Sequence, residues 1–236
     1  MEANTTANAN ATAKTIAGSS LEPGVADIIL RSRQTLLDIL EDRGYDTAVY
    51  QNIAPDQILT LAEGHPRALD VYAKKKADSA APCERAVVVY QIQDRIRSKL
   101  GTFATRLFSE PPDANSVVTK ADDIIVILNE PYHEAFDKYS LQQWQSGKIR
   151  MTFFHIKQVV VHPGRHVLVP PHRKLSADEA KAAMDRLHVT QKSQFPLIKH
   201  HDMQSRTLGL VPGDVVEILR PSPTAGISKI LRICAA

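Results

Sequence analysis

A small α/β domain followed by an α+β domain is the fold class this sequence predicts, and three observations carry it. Arg85 to Tyr90 holds the unbroken apolar run Val87-Val88-Val89, as in a strand covered on both faces. A helical stripe of Ile96, Leu100, Phe103 and Leu107 follows, and then a second apolar run from Ile124 to Leu128. Strand, helix, strand in that order is a right-handed crossover between parallel strands. Near Gln158 the composition shifts toward Val and His, which sets a boundary between Ile156 and Val159. Beyond it a capped helix precedes two strands split by a proline-rich stretch. The expected division is a disordered tail over 1–20, an α/β domain over 21–157 and an α+β domain over 158–236.

Each element follows from local pattern. Met1 to Ser20 is rich in Ala, Thr and Asn, with only Glu2 and Lys14 charged, so it offers nothing to pack. From Asp27 to Arg43, Ile29, Leu36, Leu37 and Leu40 share one helical face, and Gly44 is the C-terminal stop. Pro55 opens a short helix through Ile58, Leu59 and Leu61 to Gly64. Ala68 to Ala73 fits a strand, and Lys74-Lys75-Lys76 a solvated loop. The crossover helix runs from about Asp94 to Phe108 and ends before Pro111-Pro112. A further helix spans about His133 to Trp144, and Ile149 to Ile156 is the closing strand of the first domain.

In the second domain Arg165 to Pro170 is read as the leading strand. Ser176 is an N-cap whose capping box is completed by Glu179, with Leu175 as staple and Ala180, Ala183, Met184 and Leu187 as the buried stripe. Asp202 caps a short helix that ends at Leu208 with Gly209 as its stop. After the turn at Pro212-Gly213 a strand runs from Asp214 to Leu219, with Val215, Glu217 and Leu219 on one face and Val216 and Ile218 on the other. The returning strand is Ser228 to Ile233. Between them lies a stiff loop, Arg220-Pro221-Ser222-Pro223-Thr224-Ala225-Gly226, in which two prolines hold φ and Gly226 frees the turn. Such a loop suits a docking surface, because little entropy is lost when a partner covers it.

Composition narrows the function. The 236 residues are 43% apolar, enough for a real core. The formal charge is +3, but from Met151 onward there are twelve Lys/Arg against six Asp/Glu and seven of the nine histidines. A mildly basic C-terminal part fits an acidic partner or a polyanion, as well as ordinary solvated charge. Two distant cysteines, Cys83 and Cys234, argue for a reducing compartment and against a disulfide framework or four-ligand zinc site. No apolar run has the length of a membrane span. The chain therefore reads as soluble and intracellular.

Two blocks carry a resemblance. Leu208-Gly209, Gly213-Asp214-Val215-Val216-Glu217-Ile218 and Arg220 to Gly226 form one, and His166-Val167-Leu168-Val169-Pro170-Pro171-His172 forms the other. In order and spacing they resemble the C-terminal domain of the subunit-5 family, which comprises the subunit shared by eukaryotic nuclear RNA polymerases and its shorter counterpart in the archaeal polymerase. They cover about the last third of the chain. Asp42-Arg43-Gly44-Tyr45, at the end of the first helix, resembles a motif at the same place in that family's N-terminal domain.

The resemblance implies an N-terminal jaw domain and a C-terminal assembly domain, neither catalytic and neither needing a cofactor or metal. Implied partners are the largest polymerase subunit, neighbouring small subunits and downstream DNA at the lower jaw, with no membrane. The implied location is the nucleus, or the nucleolus for a chain serving RNA polymerase I. Carried over by position, Arg206, Gly213, Arg220, Pro221, Thr224 and Gly226 are the candidate docking residues. Gly213, Pro221 and Gly226 equally fit a purely turn-setting role. Lys74, Lys75, Lys76, Pro131 and His133 are the candidates for lying near nucleic acid.

The sequence also departs from the family. Phe195-Pro196-Leu197-Ile198 lacks the arginine of Leu-Pro-Arg-Ile, Asp202 to Thr207 keeps only the cap and one arginine of Asp-Pro-Val-Ala-Arg-Tyr, and Glu130-Pro131-Tyr132-His133 replaces Thr-Pro-Ser-Ala. Specialisation for one polymerase, the ribosomal-RNA polymerase, is the expectation these changes raise. A free DNA-binding regulator is the alternative. A nuclease site fails, because Asp70 would need an acid-x-Lys partner and Glu84-Arg85-Ala86 lacks the lysine. His155, His162, His166, His172, His188, His200 and His201 have no helical i, i+4 spacing and no thiolate partner, which points to hydrogen-bonded or surface histidine rather than metal.

Overall fold

A computed structural model describes residues 23–236 apart from 65–66, 93 and 110–116. The expected tail over 1–20 and the Pro111-Pro112 break lie outside the described residues. Two sheets organise the chain. The first has five strands in the order β1-β2-β3-β4-β5: Tyr45–Asp46, Val71–Lys75, Arg85–Gln91, Asp123–Leu128 and Arg150–His155. β3, β4 and β5 are parallel, while β2 is antiparallel to β3.

Every residue of β4 is buried, because both faces of the sheet are covered. On one face α1 (Pro23–Asp42) packs Ile29, Leu36 and Leu40 against Val88, Ile125 and Phe154. Leucines and isoleucines at three- and four-residue spacing make this possible. On the other face lie α4 (Leu100–Ser109) and α5 (Glu134–Gly147), through Leu107, Phe136 and their neighbours. Two short helices, α2 (Ala48–Gln51) and α3 (Pro55–Gly64), join β1 to β2.

The second sheet has the order β6-β8-β9-β7: His172–Lys174, Val215–Ser222, Gly226–Ala235 and Leu197–Lys199. α6 (Ala177–Arg186) covers one face with Ala180 and Ala183 over Val215 and Leu231. Its capping box is formed: Ser176 Oγ accepts from the Glu179 amide at 3.2 Å, and Glu179 Oε2 accepts from the Ser176 amide at 2.9 Å. The other face holds Val216, Ile218 and Cys234 beside Leu208 and Leu210, which end and follow α7 (Met203–Leu208).

Several sequence expectations move. Residues 165–170 form no strand: Pro163–Arg165 is a 3-10 turn, and the strand begins at His172. β2 is shifted C-terminally from Ala68–Ala73, so Lys74 and Lys75 are strand residues rather than loop. The α part of the crossover helix starts only at Leu100, because the Glu130 carboxylate captures the Ile96 and Arg97 amides at 2.8 and 3.1 Å and caps a 3-10 turn over Arg97–Lys99. Leu187 is half exposed, since α6 stops at Arg186 and His188 turns left-handed at φ 54°. β7 was not anticipated. Three residues without alternation leave no strand signature.

Candidate docking surface

The hairpin of β8 and β9 is longer than its sequence suggests. Pairing continues through Arg220↔Ser228, Pro221↔Ile227 and Ser222↔Gly226, so only Pro223, Thr224 and Ala225 remain as the turn. The expected stiff loop is therefore mostly ladder. Gly226 takes φ 68°, and Ser222 Oγ accepts from the Ala225 amide at 3.3 Å and meets Thr224 Oγ1 at 3.4 Å. β6 reaches only Val216–Ile218 and β7 only Ile233–Ala235, so the outer half of the hairpin projects as a two-stranded arm.

Arg220, Pro221, Thr224 and Gly226 are exposed on this arm. Among the described residues no carboxylate pairs with Arg220. Gly213 sits at the arm's base, where its amide donates to the Cys234 carbonyl at 2.9 Å and its own carbonyl accepts from Lys192 Nζ at 3.2 Å. Its φ of 96° requires glycine, although an added Cβ would meet open space.

Beside the arm lies a feature that sequence reading missed. Val167 is 92% exposed and Leu168 82%, and on the arm Ile227 is 67% exposed. The antiparallel register of β6 with β8 puts residues 166–171 at the tip end of the sheet, and the Leu219 amide donates to the Pro171 carbonyl at 3.0 Å. Exposed apolar side chains gathered at one end of a domain mark an interaction surface. The signal was there: an apolar pair flanked by Pro-Gly and Pro-Pro has no periodicity to bury it.

Arg206 requires a correction, because it is 8% exposed and faces inward. Its guanidinium lies 4.4 Å from the Tyr132 ring centroid and 5.2 Å from that of Phe154, and donates to the Phe153 carbonyl at 3.0 Å. It joins the two sheets rather than offering a docking contact. Arg43 works from the opposite side. Its guanidinium donates to Asp123 at 2.9 Å, to the Thr207 carbonyl at 2.9 Å and to the Arg206 carbonyl. Gly209, at φ 63°, leaves room for it, since a Cβ there would come 3.0 Å from the guanidinium. The Asp42-Arg43-Gly44-Tyr45 motif thus bolts the first sheet to α7. Asp42 also lies 3.2 Å from His162 Nε2, near enough for attraction but not aligned for a hydrogen bond.

The histidines act as turn formers. Nδ1 of His133, His155, His162 and His166 each accepts the amide two residues on, at 3.1 to 3.2 Å. Each ring caps a short turn as Asn or Asp does. Asp70 is likewise structural, accepting from the Tyr90 amide at 3.0 Å and from Arg67 at 2.7 Å.

The five residues expected near nucleic acid do not share a surface. Lys74 pairs in register with Arg85, at the N-terminal end of β3, whereas Pro131 and His133 follow the C-terminal end of β4. The length of β3 separates the two groups by about 20 Å. At the end bearing Pro131 and His133 is a cleft of about 450 Å³ lined by Arg67, Arg95, Lys99 and Arg106 against one carboxylate, Asp94. Sequence reading passed over this basic cluster because its residues fall in the crossover helix and the turns around it.

Comparison with known proteins adds the last observation. Residues 161–234 match the family model for the RNA polymerase Rpb5 C-terminal domain. The DNA-directed RNA polymerase subunit Rpo5 of Pyrococcus abyssi is 46% identical over 69 residues, 29% of this chain and 83% of the relative. Over most of the chain the similarity is to subunit rpabc1 of DNA-directed RNA polymerases I, II and III from Dictyostelium discoideum, 28% identical over 207 residues, 87% of this chain and 96% of the relative. The Caenorhabditis elegans counterpart is 24% identical over 201 residues, covering 83% and 90%.

Proposed function

The chain belongs to the subunit 5 family of DNA-directed RNA polymerases, and from that premise we propose that it is a non-catalytic structural subunit of a nuclear polymerase. Residues 158–236 act as the assembly domain and dock on the largest subunit. The observation that carries this reading is the projecting arm: a two-stranded ribbon is marginally stable alone, yet this one holds Arg220, Pro221, Thr224 and Ile227 in solvent next to Val167 and Leu168. Gly213 and Gly226 set its two turns. Arg220, free of a carboxylate within the described chain, is placed to meet one on the partner.

Residues 21–157 form the jaw-like part in this reading, with downstream DNA passing the C-terminal end of the first sheet, where Pro131, His133, Arg95 and Lys99 are exposed. Lys74, Lys75 and Lys76, at the other end, lie outside that surface. Specialisation for RNA polymerase I rests on departures that reach the surface, namely Leu197, Pro131 and His133. The deciding experiment is affinity purification of the tagged full chain, wild type and with 220–226 replaced by glycine and serine. Wild type should recover a largest polymerase subunit and the replacement should not. Equal recovery overturns the docking role, and recovery of all three nuclear polymerases overturns the specialisation.

A further inference from the structure

Resting on the docking role just described, we propose that β9 accepts an extended acidic segment of the partner as an added strand. The backbone directions can be read from the ends of the hairpin. Cys234 exchanges both its bonds with the β8 side, its amide donating to Asp214 and its carbonyl accepting from Gly213. Ile233 points away, its amide donating to Pro196, and the Ala235 carbonyl accepts from His200 on that same side. With a two-residue period, Leu231, Lys229 and Ile227 share the outward direction of Ile233.

β7 occupies that side only opposite Ile233–Ala235. Beyond it, among the described residues, nothing meets the outward amide or carbonyl of Lys229. An open row of donors and acceptors is a template for another strand. The opposite edge of the arm is not: Pro221 has no amide hydrogen, and the Leu219 amide already donates to Pro171.

Charge and side-chain pattern identify the occupant. β9 and β7 carry Lys199, Lys229 and Arg232 and no carboxylate. Lys229 is 61% exposed and only 3.9 Å from its one carboxylate neighbour, Glu217. A second copy of this chain would set like charges against each other across the new ladder, which is unfavourable. An acidic strand is complementary. Lys229 and Ile227 lie on one face, so the segment that fits has an acidic side chain opposite Lys229 and an apolar one two positions away, over Ile227.

The test uses the full chain and its purified complex. Lys229→Pro deletes an amide that points away from β8, so the hairpin survives while the open row is lost. Lys229→Ala keeps the amide and removes the charge. Expected is recovery with the polymerase reduced about tenfold for the proline variant and less for alanine, the loss of one hydrogen bond plus its ordered neighbours setting the scale. Thermal unfolding of both free variants should stay close to wild type. In the unmodified chain, the Lys229 amide should exchange hydrogen more slowly in the complex than free. Wild-type recovery of Lys229→Pro, or equal exchange in both states, overturns the added strand. Neither result touches the docking role, which fails only if the wild-type chain recovers no polymerase at all.

Discussion

Arg43 Nε donates to the main-chain carbonyl of Thr207 at 2.9 Å, across 164 residues of sequence. Both partners are buried, and the same guanidinium neutralises Asp123, whose side chain is 1% exposed. Truncating the arginine leaves that carboxylate alone in the interior. Arg43→Ala should destabilise the chain by about 3–5 kcal/mol. Arg43→Lys should recover only part, because an ammonium cannot span three oxygens in one plane. Urea unfolding followed by circular dichroism measures both.

Arg206 and Arg220 should separate stability from docking. Arg206→Ala removes the guanidinium packed between Tyr132 and Phe154 and should cost about 2–4 kcal/mol. Arg220→Ala, at an exposed position, should stay within about 0.5 kcal/mol of wild type. Assembly should show the reverse for Arg220, with recovery reduced at unchanged Tm.

The glycines with positive φ are not equivalent. At Gly44, with φ 93°, an added Cβ would come 2.7 Å from the Ser79 Cβ, so Gly44→Ala adds a clash to backbone strain and should cost about 3 kcal/mol or more. At Gly213 the φ is similar but the space is open, so Gly213→Ala should cost about 1–2 kcal/mol. Comparing the two melting temperatures checks the order.

Acid should loosen the chain before the carboxylates titrate. Burial holds His162 below the ordinary histidine value of 6.5, helped by Arg165, and Asp42 and Asp38 oppose without reversing it. His155 and His200 are also lowered, chiefly by burial. With depressed folded values, the unfolded chain takes up protons first, so these groups favour folding fully above pH 6.5 and progressively less as the pH falls below it. Protonation also converts the Nδ1 acceptors of His155 and His162 into donors facing amides. The urea midpoint should fall between pH 7.5 and 5.5. His162→Asn, which can still cap Gly164, should flatten that dependence.

Much of the fold was legible because local chemistry decides it. Ser176 and Glu179 form their box from a four-residue pattern, Asp202 and Gly209 bound α7, and the continuous apolar run of β4 reports two covered faces. The alternation of Val215 and Val216 assigned the two faces of β8 before any neighbour was known.

What only the tertiary structure decided is which polar residues meet. Arg206 and Arg220 read alike in sequence, yet one is enclosed by the first sheet and the other stands in solvent. Lys74 and His133 lie at opposite ends of a sheet, and Val167 and Leu168 stay uncovered because no element reaches them. Periodicity reports which side of a segment avoids water. It carries no record of what arrives from elsewhere in the chain, and here the docking of α7 against Arg43 and Asp123 settles which charges are buried and which surface is left open.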